Sequence, residues 1–250
     1  MKTDSFFSIF YTENDTVFVY DKRSGVTYSL KKATFKSLLE SGKLESTLRK
    51  ASSSKNQDSS QWYARKVFYF DEVTLPWILT FFFELIIVYL SIPFFISAIV
   101  LLFHHGFNIS FSIYSVLCLI VSIFFAHPIG LILHELSHAV IAKKIGLFVP
   151  EFAIGIRRNF SFYAYTRLVG MDNCSNLLDK VKIYYAGIGM NFFLASIFFL
   201  AYSLLNINSF GILLFGIIFT LQALINLNLF FGGDGYLIIK SIFPNCNLPK

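Results

Sequence analysis

His134, Glu135 and His138 stand in the order HExxH within "LILHELSHAVIAKK", residues 131–144. Positions four apart on a helix share a face, so the two imidazoles can bind one Zn²⁺ at about 2.0–2.1 Å. Glu135 is then placed to act as general base on a water at the metal, and later as proton donor to a leaving amine. Zinc lowers the pKa of such a water toward about 7. The chemistry is metal-assisted hydrolysis. The surroundings make the motif informative, because residues 109–145 form one of the most apolar stretches of the chain. Hydrocarbon solvates neither imidazole nor carboxylate, so such groups at membrane depth face a cavity or bind one another.

A catalytic zinc needs a third protein ligand and an open position. His104 and His105 fall at the outer boundary of an apolar run, where interfacial water accounts for them. Glu84 lies about two turns inside another run, near its basic end. Asp234, in "NLNLFFGGDGY", is better placed. Glu135 precedes Lys143 by eight residues and Asp234 precedes Lys240 by six, so both carboxylates lie at similar depth if those lysines mark one surface. Gly232, Gly233 and Gly235 would let the backbone open there. On this reading Asp234 is either the third ligand or a polar residue at a helix end.

The elements that must hold these groups are membrane helices. Of 250 residues, 55% are hydrophobic and only 14% charged, which excludes an ordinary soluble domain. Nucleic acid is not an expected partner, and no signal peptide is expected in "MKTDSFFSIFYTENDT". Cys118, Cys174 and Cys246 are far apart and show no metal or disulfide spacing. Apolar runs at 77–103, 183–205 and 210–231 are each long enough to span. The run 109–145 would be about 55 Å as one helix, and Pro128 in "AHPIG" is expected to break it. Residues 109–127 are then a re-entrant or strongly tilted part, the alternative being a separate short crossing. Residues 1–75 hold 12 Lys/Arg and residues 143–182 hold 7, while the connections 104–110 and 206–209 hold none. Four net crossings put every basic region on one side, with both termini cytoplasmic.

The expected fold is therefore a mainly α-helical polytopic membrane protein with a broken HExxH segment. Residues 1–50 read as a small α+β cytoplasmic module, with a hairpin in "TVFVYDKRSGVTYSL" and a helix in "KKATFKSLLESG". Residues 51–76 read as a serine-rich linker and an aromatic juxtamembrane segment, and 77–250 as the membrane domain. "FAIGI" and "FSFYAYTRL" flank "RRN" and predict a β-hairpin near 152–166 against the cytoplasmic face.

Three motifs in order resemble the site-2 protease family of intramembrane zinc metalloproteases. "HELSHAVIAKKIG" resembles its first motif, with Ser137 where Gly is common. "AGIGMN", residues 186–191, resembles AGPxxN with Ile188 for Pro, and "NLNLFFGGDG", residues 226–235, resembles NxxPxxxxDG with Leu229 for Pro. The resemblance, over about residues 125–240, implies one Zn²⁺ held by His134, His138 and Asp234, with Glu135 as the catalytic acid/base. It implies Asn226 and Asn191 as polar groups near the substrate or oxyanion; the alternative for each is interhelical hydrogen bonding. Gln222 is expected to be structural.

More faintly, "VFVYDKRSGVTYSLKKATFKSLLESGKL" resembles the PqqD-like winged-helix domains that bind leader peptides. The pairing resembles peptide zinc metalloproteases of bacterial modified-peptide (bacteriocin) clusters. It implies a membrane-associated precursor peptide as substrate, with a peptide exporter or modifying enzyme as further partners. The alternatives are a regulatory protease acting on a membrane-bound anti-sigma factor, and a non-catalytic immunity or transport protein.

Overall fold

The computed structural model describes residues 7–11, 15–22, 26–53, 62–70, 73–106, 113–157, 161–171, 174, 176–204, 210–229 and 232–244. Most of the serine-rich linker, the tips of both expected hairpins and residues 109–112 lie outside these.

Among the described residues, four helices are long and apolar enough to cross a membrane: Trp77–His105, Val116–Lys144, Leu177–Leu204 and Phe210–Leu227. The first consists of α3 (Trp77–Glu84), a π-helical stretch Leu85–Leu90, and α4 (Ser91–His105). The others are α5 (Ile113–Lys144), α6 (Leu177–Leu204) and α7 (Phe210–Leu227), followed by the short α8 (Asp234–Ile242). Helix α6 is the hub. It packs against α4, α5, α7 and α8, and its buried glycines allow this. A Cβ on Gly189 would run into the Ile87 carbonyl of the π-helical stretch, and one on Gly216 of α7 would run into the Phe199 ring of α6. Elsewhere the outward faces carry Phe, Ile and Leu, among them Phe103, Phe124 and Ile225, as hydrocarbon requires.

The expected break at Pro128 does not occur. Helix α5 runs unbroken for 32 residues with Pro128 inside it, about 48 Å at 1.5 Å per residue. Proline removes one N–H from the helical ladder, and membrane helices tolerate this loss through local adjustment of the freed carbonyl. Tilt accommodates the excess length over an apolar core of about 30 Å.

Strands β1 (Phe7–Tyr11), β2 (Thr16–Asp21) and β3 (Val26–Lys31) form an antiparallel sheet in that order, followed by α1 (Lys32–Glu40) and α2 (Leu44–Ser53). The hairpin and helix expected here are present; β1 is an addition. Alternation explains how β2 is buried on both faces. Val17 and Val19 join Phe35, Leu44 and Leu48, whereas Phe18 and Tyr20 join Phe148 of a second sheet.

That second sheet is β4 (Trp62–Tyr69), β5 (Phe148–Arg157) and β6 (Phe162–Val169), antiparallel in the order β4-β5-β6. The hairpin expected near 152–166 is its β5–β6 part. The segment read as juxtamembrane supplies β4, which pairs with β5 from Trp62↔Arg157 to Tyr69↔Glu151. The sheet rests on the Lys143 end of α5, where Val149 and Phe152 pack with Ala139, Ile141, Ala142, Ile183 and Ala186.

The two sheets meet around Glu151, which is fully buried. Tyr20 donates to its Oε2. Tyr165 donates to Oε1 at 2.7 Å and Arg167 Nε at 3.0 Å. Three donors make burial of this carboxylate tolerable. Burial first, and then the hydrogen bond to Glu151, hold the Tyr20 phenol well above its ordinary pKa.

Candidate metal centre

Helix α5 presents His134 and His138 to α6, and α8 presents Asp234 from its first turn. The Nε2 atoms of the histidines lie 3.2 Å apart, and Asp234 Oδ2 lies 3.0 Å from His134 Nε2 and 3.2 Å from His138 Nε2. Among the described residues, His134, His138 and Asp234 are the one group of three or more such side chains whose ligand atoms converge.

Two small-residue stretches permit this approach. A Cβ on Gly187 of α6 would lie 2.5 Å from His138 Nε2 and 2.6 Å from His134 Nε2; only a hydrogen fits there. Gly232 has φ +69° in the turn before α8, a conformation glycine adopts without strain. A Cβ on Gly233 would stand 3.0 Å from the Asn226 carbonyl. The turn thereby folds α8 back tightly against the end of α7.

The three atoms fit a zinc ion. Tetrahedral coordination with bonds of about 2.0–2.1 Å separates ligand atoms by about 3.3–3.4 Å, close to the triangle observed. Asp234 Oδ2 is buried with no hydrogen-bond donor directed at it, as an anionic ligand awaiting a cation would be. His138 Nδ1 lies 2.6 Å from the Ile183 carbonyl. A carbonyl only accepts, so Nδ1 carries the proton and Nε2 keeps its lone pair for a metal. His134 Nδ1 faces two carboxamides, with Asn191 Nδ2 at 3.2 Å and Asn226 Nδ2 at 3.4 Å. For His134 Nε2 to bind a metal, Nδ1 must carry the proton and meet an acceptor. A half-turn of the Asn191 carboxamide brings its Oδ1, otherwise buried without a partner, to that place.

Residues 122–242 match the model for peptidase family M50. The stretch is a peptidase family M50 domain. M50 is the site-2 protease family, and its members are zinc metalloproteases. No curated protein and no solved structure matches the chain. The M50 domain begins within α5 and ends at the end of α8. It contains all three converging residues, while the first sheet, its helices and α3–α4 lie outside it.

Glu135 is half-buried beside this triangle and is held by the second sheet. The Thr166 N–H donates to Glu135 Oε2 at 2.8 Å, and Thr166 Oγ1 donates to the Glu135 backbone carbonyl at 2.6 Å. The remaining oxygen, Oε1, has no partner among the described residues. Thr166 was not legible as a site residue, because nothing in "FYAYTRLV" marks which residue of a strand will touch a helix 31 positions earlier. Gly187 was legible only as part of the AGIGMN resemblance.

Glu84, His104 and His105 are not brought to the metal triangle. Glu84 binds Lys144 and, at 2.9 Å, Lys182. His105 packs edge-on against Tyr202, its ring centre 6.1 Å away. Asn191 and Asn226 come together at His134 Nδ1, on the side of the ring away from Nε2.

Proposed function

We propose that this M50 metalloprotease is an intramembrane endopeptidase that cleaves a membrane-associated peptide, a ribosomally made precursor during maturation or export. One observation carries the reading: three ligand atoms converge between a helix that can cross a membrane and the short helix α8, beside Glu135, near the lysine-bearing ends of both helices. His134, His138 and Asp234 would hold one zinc, which supplies Lewis acidity and a water acidic enough to ionise near neutral pH. Glu135 takes a proton through Oε1 and returns it to the leaving amine, while Thr166 keeps its other oxygen in place. Asn191 orients His134. Asn226, half-buried with its Nδ2 3.4 Å from His134 Nδ1, is the side chain left to meet a substrate group.

The basic ends of α5 and α8 and both chain termini would face the cytoplasm of a bacterial cell, in keeping with the charge distribution. A substrate must arrive unwound, because a helical backbone hides its carbonyls. The stretch of β6 before Thr166 offers an edge on which such a segment can add as a strand. The first sheet with α1 and α2 is in keeping with a winged-helix-like, PqqD-like peptide-binding module whose outer strands, among the described residues, are β1 and β3.

The test uses the full chain, purified and reconstituted in lipid vesicles. It should bind about one zinc per chain and process a short membrane-associated precursor peptide supplied in the same vesicles. Glu135→Ala should keep the zinc and lose processing. Processing that survives this substitution would overturn the reading. Cleavage confined to an anti-sigma-type membrane protein would redirect it to a regulatory substrate.

A further inference from the structure

We infer that His127 is a substrate-docking point inside the membrane, whose partner is a backbone carbonyl of an unwound peptide segment. The inference rests on the protease reading above and adds what the substrate must offer away from the scissile bond.

His127 lies on α5, two turns before His134, about 10.5 Å along the axis. Gln222 lies on α7, one turn before Asn226. Gln222 Nε2 is 2.8 Å from His127 Nδ1 and 3.1 Å from the His127 backbone oxygen. The backbone oxygen only accepts, so the NH2 end of the amide faces His127. The ring Nδ1 must then accept as well, and a neutral imidazole in this state carries its proton on Nε2. That N–H has no partner among the described residues, on a residue exposed at the outside of the helix bundle.

Its surroundings make this costly. His127 sits near the middle of α5, 16 residues from Lys143, and its exposed neighbours are Phe124, Phe125 and Ile129. Hydrocarbon supplies no acceptor at that depth, and lipid ester carbonyls lie out at the interface. Interhelical bonding alone does not explain the arrangement. Gln222 bonded to the His127 backbone oxygen would join the helices with any apolar side chain at position 127.

The seam is also shaped for the pair. A Cβ on Gly130 would collide with Gln222 Oε1 and stand 2.8 Å from Phe219 Cε1, so glycine is what lets Gln222 reach across. Pro128 gives no N–H to the Phe124 carbonyl, which lies three residues before His127 on the same face. A peptide carbonyl arriving there finds a donor in His127 Nε2. Transmembrane helices use their own carbonyls, so the ligand is a segment opened by a residue such as Gly or Pro. In extended form, about three residues cover the distance from His127 to the metal.

The test uses zinc-loaded full-length protein with Glu135→Gln, in phosphatidylcholine vesicles, so that binding is read without cleavage. The probes are two fluorescent Leu-rich transmembrane peptides, identical except for Gly-Pro or Leu-Leu at the centre. The Gly-Pro peptide should bind about fivefold tighter, the worth of one membrane hydrogen bond. His127→Phe should reduce the preference below about twofold with zinc content unchanged, and His127→Gln, which keeps a donor, should restore it. A second reading needs no variant at position 127: the ¹³C-labelled carbonyl before the proline should move to lower infrared frequency on binding. No preference, a preference undiminished by His127→Phe, or an unshifted carbonyl band in the bound peptide would overturn the inference. Failure of the protease reading would show separately, as zinc-loaded protein with Glu135 intact that cleaves nothing.

Discussion

Thr166 and Glu135 are bonded twice, once through the Thr166 N–H to the carboxylate and once through its hydroxyl to the Glu135 backbone. The Thr166 N–H points away from β5, so proline at this edge position would spare the ladder while removing the carboxylate's donor. Thr166→Pro is expected to lower kcat by about 100-fold, the scale of a misplacement of about 1 Å, with zinc content unchanged. Thr166→Val keeps the N–H and should lose less. Single-turnover kinetics beside metal analysis checks both.

Gly187 leaves room for a hydrogen between the two imidazole rings that would hold the metal. Gly187→Ala forces His134 and His138 apart, so the protein should bind zinc at least about tenfold more weakly and lose about 1–3 kcal/mol of stability from overpacking. Gly146 has φ +89° with nothing within 4 Å of an added Cβ, so Gly146→Ala strains the backbone without touching the rings and should cost stability while leaving zinc affinity unchanged. Competition with a zinc chelator measures the first effect and thermal unfolding the second.

The ligands and their supports should separate by what they lose. Asp234→Ala removes the one anionic member of the triangle and should abolish both zinc retention and activity. Asn191→Leu leaves His134 Nδ1 without an acceptor and should weaken zinc binding by about 10–100-fold while activity returns at high zinc. An Asn191→Leu protein with normal metal affinity and a lost kcat would assign this side chain to the substrate instead.

The contact between the sheets should respond to alkali. Tyr20 has a folded pKa above its unfolded value near 10. The phenol's contribution to stability is therefore complete below about pH 10 and declines as pH rises beyond it, because the unfolded chain ionises first. Raising the pH from 8 to 11 should lower the Tm of the wild type more than that of Tyr20→Phe. At pH 8, Tyr20→Phe should cost about 1–3 kcal/mol, because Glu151 keeps its bonds to Tyr165 and Arg167 but loses one donor.

The chemistry of the centre was legible because membrane burial makes polar residues conspicuous. His134, His138 and Asp234 stood out against Leu, Ile and Phe, and matching distances to Lys143 and Lys240 placed them at one depth. Pro128 misled because a missing N–H is a local fact, whereas its consequence depends on what surrounds α5. Strand β4 was hidden for a related reason. "WYARKVFY" has aromatic and basic residues that suit a membrane interface as well as a sheet, and only pairing with β5 decides between them. Thr166, Tyr20 and Glu151 act through contacts 31 to 131 positions away, which no local pattern encodes.

The metal triangle joins two parts of the chain, α5 and α8, that the backbone connects only through β5, β6, α6 and α7. An ion bound there is a cross-link closing a loop of about 100 residues, and a loop of that size loses considerable chain entropy when its ends are tied. Stripping the metal would therefore unfasten α8 from α5 as well as stop the chemistry. The apo and holo proteins should differ in mechanical cohesion, with the final helix the first to come away.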